Sequence, residues 1–388
     1  MHRIQFHYTL GRDSGPATVR NPLIALLQAV AVHGSISGAA RALGFSYRHV
    51  WGELKRWESE LGNGLVLWEK GQPARLSDFG SKLMWAERQA QARLEPQIES
   101  LRAELERAFA VAFDDSAHVL TLYASHDDAL AALREHALAV GPEQHDEPQG
   151  ALHLDIRFCG SVDAIRALNE GRCEIAGFHT LQQPAPGSLA ERIYKPLLQP
   201  GRHKIIGFAQ RTQGLMVAPS NPLAIHSLRD LQRSQARFVN RAHGTGTRVV
   251  LDELLAQDGM RGAYLQGYER TEPSHAAVAH AVASGSADAG LGIAVAARSQ
   301  GLDFIALAQE NYHLVCLKSA LEKPATRALR ALLRSAHWRE KLAAMDGYQP
   351  AGSGEVQSLR ALLPWWKFTS RKSESPQKYD RIAVARSA

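Results

Sequence analysis

The stretch GSISGAARALGFSYRHVWGELKRWESEL, residues 34–61, decides the fold of the N-terminal part of this chain. Ser35 or Ser37 is placed to cap a first helix of small apolar residues, and Gly44 is placed to end it. Ser46 then precedes a second, longer helical run. Two helices joined by a short glycine turn are typical of the helix-turn-helix motif.

The flanking segments complete a winged domain. Asn21-Pro22 predicts the start of a preceding helix, because proline is favoured at the first helical position. Residues 65–70 and 75–76 predict two short strands joined by a turn, which is a wing. A weak alternation over residues 4–10 predicts one further strand. The longer helix has an apolar stripe at helical spacing, formed by Val50, Trp51, Leu54, Trp57 and Leu61.

The other face of that helix carries the side chains that we expect to contact DNA. A recognition helix presents its first turns to base edges, where an arginine can bind guanine through two hydrogen bonds. Arg48 is therefore the predicted base-reading residue, whereas Trp51 and Trp57 are expected in the core. Each basic residue also fits a plain solvent-exposed charge. The full predicted set is Ser46, Tyr47, Arg48, His49, Lys55, Arg56 and Arg75.

The run from Gly34 to Trp51 and the segment from Leu67 to Leu83 resemble the winged helix-turn-helix of ModE-type molybdate regulators, which are related to the LysR family. The resemblance covers about residues 15–110. It implies a transcription regulator that binds a double-stranded DNA operator.

Residues 78–113 predict one long helix, with a kink or break at Pro96. A solvated linker helix and a dimer seam both fit this segment. We favour the seam, because helix-turn-helix proteins normally read two half-sites as dimers; a higher homo-oligomer stays open. The apolar positions repeat with coiled-coil-like spacing at Leu94, Ile98, Leu101, Leu105, Ala108 and Ala112.

Strands and helices alternate after His118, which predicts a parallel α/β sheet. Residues 205–208 and 215–217 predict two strands around a turn at Gln213-Gly214. Two more strands are predicted to return, at residues 304–307 and 312–317.

The segments FVNRAHGTGTR (238–248) and VASGSADAGLGI (282–293) resemble a type II periplasmic-binding-protein fold, in the PBP-like form found beside winged-helix modules. This resemblance covers about residues 118–345 and implies two lobes around a ligand cleft. The predicted divisions are a winged domain (1–85), a linker helix (86–117), a PBP-like domain (118–350; first lobe 118–210 and 303–345, second lobe 215–300) and a C-terminal extension with a basic tail (351–388). The predicted hinge crossovers lie near residues 210–215 and 300–304.

Hydroxyl side chains at helix starts predict an anion site, because the free backbone N–H groups there attract negative charge. Serine and threonine at these places are also ordinary N-caps, so both interpretations stay open. Arginines can add charge, and histidines at strand ends can donate hydrogen bonds. The predicted effector set is Ser125, His126, Ser161, His179, Arg241, Thr245, Thr247 and Arg248.

Composition narrows the class of function. The chain has 388 residues, 45% hydrophobic and 22% charged with a net charge of +6, which fits a globular protein of two or three domains and permits a nucleic-acid partner. Three cysteines without a CxxC pair favour a reducing cytoplasm over a disulfide framework or structural zinc. No membrane-spanning run or secretory signal is predicted. No nucleophile motif, metal-ligand spacing or Walker lysine is present, so we expect neither an enzyme nor a cofactor.

The sequence thus predicts a cytoplasmic one-component regulator that senses a small anion. The ModE-type resemblance suggests molybdate or tungstate, and an organic anion remains open. A solute-binding protein is the first alternative, against which the helix-turn-helix and the missing signal peptide argue. A molybdenum-cofactor-handling enzyme is the second, against which the missing catalytic motif argues.

Overall fold

The computed structural model describes residues 22–69, 72–113, 118–139 and 152–366. The predicted strand over residues 4–10 and the basic tail lie outside these ranges. The helices are α1 (Pro22–His33), α2 (Ile36–Leu43), α3 (Tyr47–Leu61), α4 (Asp78–Phe113), α5 (Asp128–Ala139), α6 (Ser161–Asn169), α7 (Leu189–Tyr194), α8 (Leu228–Arg233), α9 (Gly246–Gln257), α10 (His275–Ala283), α11 (Ala294–Ser299), α12 (Pro324–Arg334), α13 (Ala336–Ala343) and α14 (Leu359–Leu362).

The strands are β1 (Val66–Leu67), β2 (Arg75–Leu76), β3 (His118–Ala124), β4 (Leu152–Phe158), β5 (Ile175–Leu181), β6 (His203–Val217), β7 (Phe238–Arg241), β8 (Thr271–Glu272), β9 (Ala289–Ile293), β10 (Asp303–Leu317), β11 (Tyr348–Gln349) and β12 (Val356–Ser358). No helix among the described residues combines the length and the apolar character needed to span a bilayer.

The predicted helix-turn-helix is confirmed, and its caps explain why it forms. The hydroxyl of Ser35 accepts a hydrogen bond from the backbone N–H of Gly38 at 3.0 Å, which caps α2. Gly44 ends α2 in the left-handed region at φ 70°, where a side chain would be strained. Ser46 then caps α3. The wing is the antiparallel pair β1–β2.

The prediction that Trp51 lies in the core is wrong, since 42% of this residue is exposed. The buried face of α3 is narrower than the apolar stripe: Val50 and Leu54 are fully buried, and Trp57 packs against them while partly buried.

Helix α4 continues through Pro96, which corrects the predicted break. Proline lacks the N–H that would normally bond to the carbonyl four residues earlier, here that of Ala92. The hydroxyl of Ser274 donates to this carbonyl at 3.0 Å and replaces the missing donor. A tertiary contact therefore removes part of the cost of an interior proline.

The sheet is mixed rather than parallel. Strand β3 pairs in parallel with β4 and β5, and β7 pairs in parallel with β8 and β9. Between these groups run the antiparallel strands β10 and β6, in the order β4-β3-β5-β10-β6-β9-β7-β8. We call the part around β3–β5 the first lobe and the part around β7–β9 the second lobe.

The two predicted returning pairs are each one continuous strand. Residues 203–217 form β6, and residues 303–317 form β10, so both strands pass through both lobes. Gly214 does not form a turn; a Cβ there would clash with the carbonyl oxygen of Ile305, so glycine permits close strand packing. The second crossover, which we expected near residues 300–304, lies at residues 308–310. Before this point β10 pairs with the part of β6 that adjoins β9, and from Glu310 onward it also pairs with β5.

Candidate functional site

The first turn of α3 is exposed, as a DNA-reading surface requires. Residues 45–49 are all exposed, and Arg48 has no ion-pair partner in the described part of the chain. The hydroxyl of Ser46 accepts a hydrogen bond from the backbone of His49 at 3.2 Å. Ser46 therefore has a structural function as a cap, while Tyr47 and Arg48 present free side chains to solvent.

The basic residues further along α3 are paired with carboxylates of the same helix. Lys55 lies 2.8 Å from Glu58, and Arg56 lies 2.6 Å from Glu53. The pair of Arg56 is at the surface, where ion pairs contribute little to stability, whereas Glu58 beside Lys55 is largely buried. Arg75 is exposed on β2 of the wing.

An aromatic group adjoins these cations. The Nζ atom of Lys55 lies 4.6 Å from the ring centre of Trp68 and 5.9 Å from that of Trp51. Both tryptophans are partly exposed, so the surface of α3 combines cations with aromatic faces.

A buried ionic network lies where β6 and β10 cross between the lobes. The guanidinium of Arg211 bonds to Glu310 on β10 and to Asp127, which follows β3. Its Nη2 lies 3.3 Å from Nδ1 of His179 on β5. Tyr348 donates a hydrogen bond to Asp127 at 2.7 Å. The network thus joins strand β5 and the segment after β3, both in the first lobe, to the crossover strands.

Glu310 and Arg211 stay ionised despite burial. Burial alone would raise the pKa of Glu310, but the charge of Arg211 is the main cause that lowers it to about 2. Burial alone would lower the pKa of Arg211, and Glu310 and Asp127 raise it well above its ordinary value. Burial lowers the pKa of His179, and Arg211 adds to that effect, so this imidazole is neutral.

The network continues into the second lobe through Gln213. Its side-chain amide donates to Glu310 at 2.9 Å and to the hydroxyl of Thr247 at 3.4 Å. That hydroxyl lies 3.4 Å from Nε2 of His275 on α10. Side chains of α9, α10 and the crossover strands therefore form one polar cluster.

Arg241, at the end of β7, is the unusual member of the site. It is 1% exposed, yet its Nε and Nη1 atoms have no hydrogen-bond partner. Burial lowers its pKa to about 10, and the charge of Arg211 contributes, which still leaves it a cation at neutral pH. A buried cation without a hydrogen-bonding counter-ion costs free energy, so the site is suited to an added anion.

The two lobes are in direct contact around this cluster. The backbone N–H of Val162 donates to the carbonyl of Gly244 at 3.3 Å, and Leu189 donates to Glu253 at 2.7 Å. A Cβ on Gly246 would clash with the ring of His179, so glycine at the start of α9 lets the lobes meet. The cleft between the two lobes is therefore closed in this structure.

The predicted effector residues have different surroundings in the structure. His179 and Thr247 belong to the buried network, and Arg241 is the unpartnered cation. The hydroxyls of Ser125 and Ser161 lie 3.4 Å apart in the first lobe. Thr245 caps α9, donating to Ala242 and accepting from Arg248.

Two predicted effector residues have other contacts. The guanidinium of Arg248 lies 3.8 Å from the ring centre of Tyr268 and pairs with Asp252, so its charge is already balanced. The ring of His126 packs on Phe158, and its Nε2 lies 3.7 Å from Glu99 of the linker helix.

Sequence reasoning did not select Asp127, Arg211, Gln213 and Glu310. Arg211 and Gln213 could have been selected from the polar run Gln210 to Gln213, because this run interrupts an otherwise apolar strand. Within the described ranges, no cluster of three histidine, cysteine or acidic side chains could hold a metal ion.

Helix α4 contacts both lobes. Arg93 lies 2.6 Å from Glu272 beside the second lobe's helix α10. Six residues further along α4, Glu99 contacts His126 of the first lobe, and the backbone carbonyl of Glu99 accepts a hydrogen bond from Arg134 at 3.3 Å. The segment that leaves the winged domain is therefore attached to the two parts that a ligand would bring together.

Two family models match this chain. Residues 23–81 match the bacterial regulatory helix-turn-helix proteins of the lysR family, and residues 143–334 match the PBP superfamily domain. The Bacillus subtilis (strain 168) protein YvgK is 33% identical over 200 residues, which cover 52% of this chain and 64% of that protein. The chain thus spans less than two thirds of that relative.

Two solved structures and a second protein are also similar to this chain. An H2O2-bound mutant of Corynebacterium glutamicum OxyR is a similar solved structure, at a TM-score of 0.41, 16% identity and 80% and 91% coverage of the two chains. Full-length CbnR complexed with its target DNA matches at a TM-score of 0.38, 15% identity and 80% and 98% coverage. A Clostridium pasteurianum protein from the 5′ region of a ferredoxin 2Fe-2S gene is 32% identical over 109 residues, 28% of this chain and 96% of that protein. The chain therefore belongs to the same family as the Clostridium pasteurianum protein, and it joins a lysR-family helix-turn-helix domain to a PBP superfamily domain.

Proposed function

We propose that this chain is a one-component transcription regulator of the LysR type. Its winged domain binds an operator in double-stranded DNA, and its PBP-like domain binds a small anionic effector. The observation that carries the proposal is Arg241, a buried cation in the cleft whose Nε and Nη1 atoms lack hydrogen-bond partners. The exposed first turn of α3 supplies the DNA-facing half.

On DNA, α3 enters the major groove with its first turn toward the base edges. Arg48 reads a guanine, while Lys55, Arg56 and Arg75 neutralise phosphates. Tyr47 and His49 lie on the same exposed turn. Each subunit of a homodimer then contacts one half-site, as the apolar seam of α4 suggests.

In the PBP-like domain, Arg241 and hydroxyl groups from both lobes bind the anion. The bound anion favours the closed cleft, because only the closed cleft offers all these contacts at once. The serine pair of the first lobe and Thr247 of the second are the candidate hydroxyls. Molybdate, tungstate and organic anions are the effector candidates that the sequence suggests.

The two events are coupled through α4. Opening the cleft would move Glu272 relative to His126, and these residues contact α4 at Arg93 and Glu99 respectively. A ligand that holds the lobes closed therefore biases the position of the helix that leads to the winged domain.

The test is selection of DNA from a random duplex pool by the full-length chain. We expect an enriched sequence with two half-sites, whose affinity falls steeply with salt. Recovery of the pool without enrichment, together with equal affinity for all duplexes, would refute a sequence-specific regulator.

A further inference from the structure

We infer that the cleft takes a small carboxylate that also carries a hydroxyl or ammonium group, namely an α-hydroxy or α-amino acid, rather than a tetrahedral oxyanion. The inference rests on the proposed effector role and narrows it to one ligand class. It is carried by the buried atoms that the closed cleft leaves without partners, because these include hydrogen-bond acceptors as well as donors.

The unpartnered donors are on Arg241 and His179. The Nε and Nη1 atoms of Arg241 have no partner, and a guanidinium is well suited to a carboxylate. Nδ1 of the neutral His179 accepts from Arg211, so the ring proton is on Nε2, which is also unpartnered. These groups would bind the negative end of a ligand.

The unpartnered acceptors are on Gln213 and Glu310. The amide nitrogen of Gln213 donates to Oε1 of Glu310, which fixes the amide orientation and leaves Oε1 of Gln213 without a donor. Oε2 of Glu310 is unpartnered as well, and an ionised carboxylate can only accept. Buried acceptors without donors are costly, so a ligand O–H or N–H would be favoured here.

The charges argue the same way. Two buried arginines, Arg211 and Arg241, stand against the buried carboxyl groups of Asp127 and Glu310, and Asp128 adds a third carboxyl group close to both arginines. A dianion such as molybdate or sulfate has no hydrogen to give at neutral pH and would bring two more negative charges beside Glu310. An α-amino acid is neutral overall, and an α-hydroxy acid adds one charge opposite Arg241.

The test uses the full-length chain in thermal-shift and calorimetric titrations at millimolar ligand. The probes are α-hydroxy and α-amino acids of up to six carbons, each with the matched acid that lacks the hydroxyl or amine, such as lactate against propionate. Molybdate, tungstate and sulfate complete the panel. We expect at least one donor-bearing acid to raise the melting temperature and to bind about tenfold more tightly than its matched acid.

Variants assign that preference to the named atoms. Gln213→Met keeps the side-chain size and removes the acceptor, so the ratio within a matched pair should fall toward one. Arg241→Met should abolish binding of both members of the pair. Arg237→Met is the control, because Arg237 is half exposed and paired with Asp288 outside the cleft.

Three results would overturn the ligand class: stabilisation by oxyanions alone, equal affinity within every matched pair, or no shift with any probe. Stabilisation by oxyanions alone would leave the proposed effector role intact and would assign it a different ligand. The DNA selection is run on the same preparation, so a protein that selects an operator but ignores the panel disproves only this inference.

Discussion

The carboxylate of Glu99 on the linker helix lies 3.7 Å from the imidazole Nε2 of His126, the residue that follows the cleft serine Ser125. Both side chains are largely buried. Burial alone would raise the pKa of Glu99, but His126 and Arg134 lower it, so the helix keeps a charge in contact with the cleft wall. This contact connects the proposed effector site directly to the helix that leads to DNA.

Glu99→Gln should lower the free energy of unfolding by about 1–3 kcal/mol, because it leaves the buried Arg134 without its countercharge. Glu104→Gln is the matched control on the same helix; Glu104 is half exposed and paired with Arg157, so its loss should change stability by less than about 0.5 kcal/mol. Urea unfolding followed by tryptophan fluorescence measures both. Equal effects of the two variants would contradict a stabilising contact at Glu99.

Arg48→Ala should reduce affinity for the selected operator far more than for random DNA, because a bidentate base contact contributes about 1–3 kcal/mol of discrimination. Lys55→Ala should weaken binding to both duplexes alike and flatten the salt dependence. Fluorescence anisotropy at several salt concentrations separates these outcomes. If Arg48→Ala weakens both duplexes equally, Arg48 contacts the backbone instead.

Gly52 gives a prediction in which stability and binding change in opposite directions. It is exposed in the middle of α3, and a Cβ there would meet no atom within 4 Å. Gly52→Ala should therefore stabilise the helix by about 0.5–1 kcal/mol, since interior glycine lowers helix stability. If the backbone of α3 approaches DNA closely at this position, Gly52→Leu should weaken operator binding while the melting temperature does not fall. Gly44→Ala is the control and should destabilise, because Gly44 has φ 70°.

The local structure of the winged domain could be predicted from the sequence because its signals are local. Ser35, Gly44 and Ser46 determine where helices begin and end through contacts within four residues. The exposure of Trp51 could not be predicted from such local signals. Helical spacing identifies the apolar face of α3, but it does not show how much of that face is buried.

The sheet and half of the site depend on distant contacts, which is why sequence analysis missed them. Gly214 predicts a turn when only its neighbours are considered; its observed function is to accommodate Ile305, which is far away in the sequence. Arg211, Gln213 and Glu310 meet because β6 and β10 pair along their whole length. The position of Ser161 at the start of α6 could be predicted from the sequence, because the signals for helix starts are local.

Acid should destabilise the protein below about pH 6.5 through buried neutral histidines. Burial lowers the pKa of His280 to about 4, with a further contribution from Arg88, and burial lowers that of His313 to about 3. The unfolded chain then binds protons first, so stability present above pH 6.5 is lost as the pH falls toward these values, by at most about 3 kcal/mol for His280.

His280→Leu tests this pH dependence, because it removes the titrating group that packs beside Trp85 of α4. Melting temperature measured from pH 7.5 to 4.5 should fall less steeply in the variant than in the natural protein. His243→Leu, at an exposed site, is the control for replacing a histidine by leucine. An identical slope in His280→Leu would show that this histidine does not cause the acid sensitivity.

Leu101→Glu combined with Leu105→Glu should convert the proposed dimer to monomers without unfolding it. The face of α4 that packs on its own sensor domain contains the buried residues Ala92 and Ala103, whereas Leu101 and Leu105 are exposed. Two like charges in an apolar seam oppose association, while the same charges in water cost the single chain little.

The matched control for the seam is Leu138→Glu with Leu223→Glu, two leucines of similar exposure outside α4. Sedimentation velocity of both double variants gives the mass, and their melting curves show whether each remains folded. A seam variant that keeps its fold and loses its partner, beside a control that keeps both, supports dimerisation through α4. If both variants sediment with the mass of the natural protein, the subunits associate through another surface, and the half-site spacing of the operator is then set by that surface and not by the linker helix.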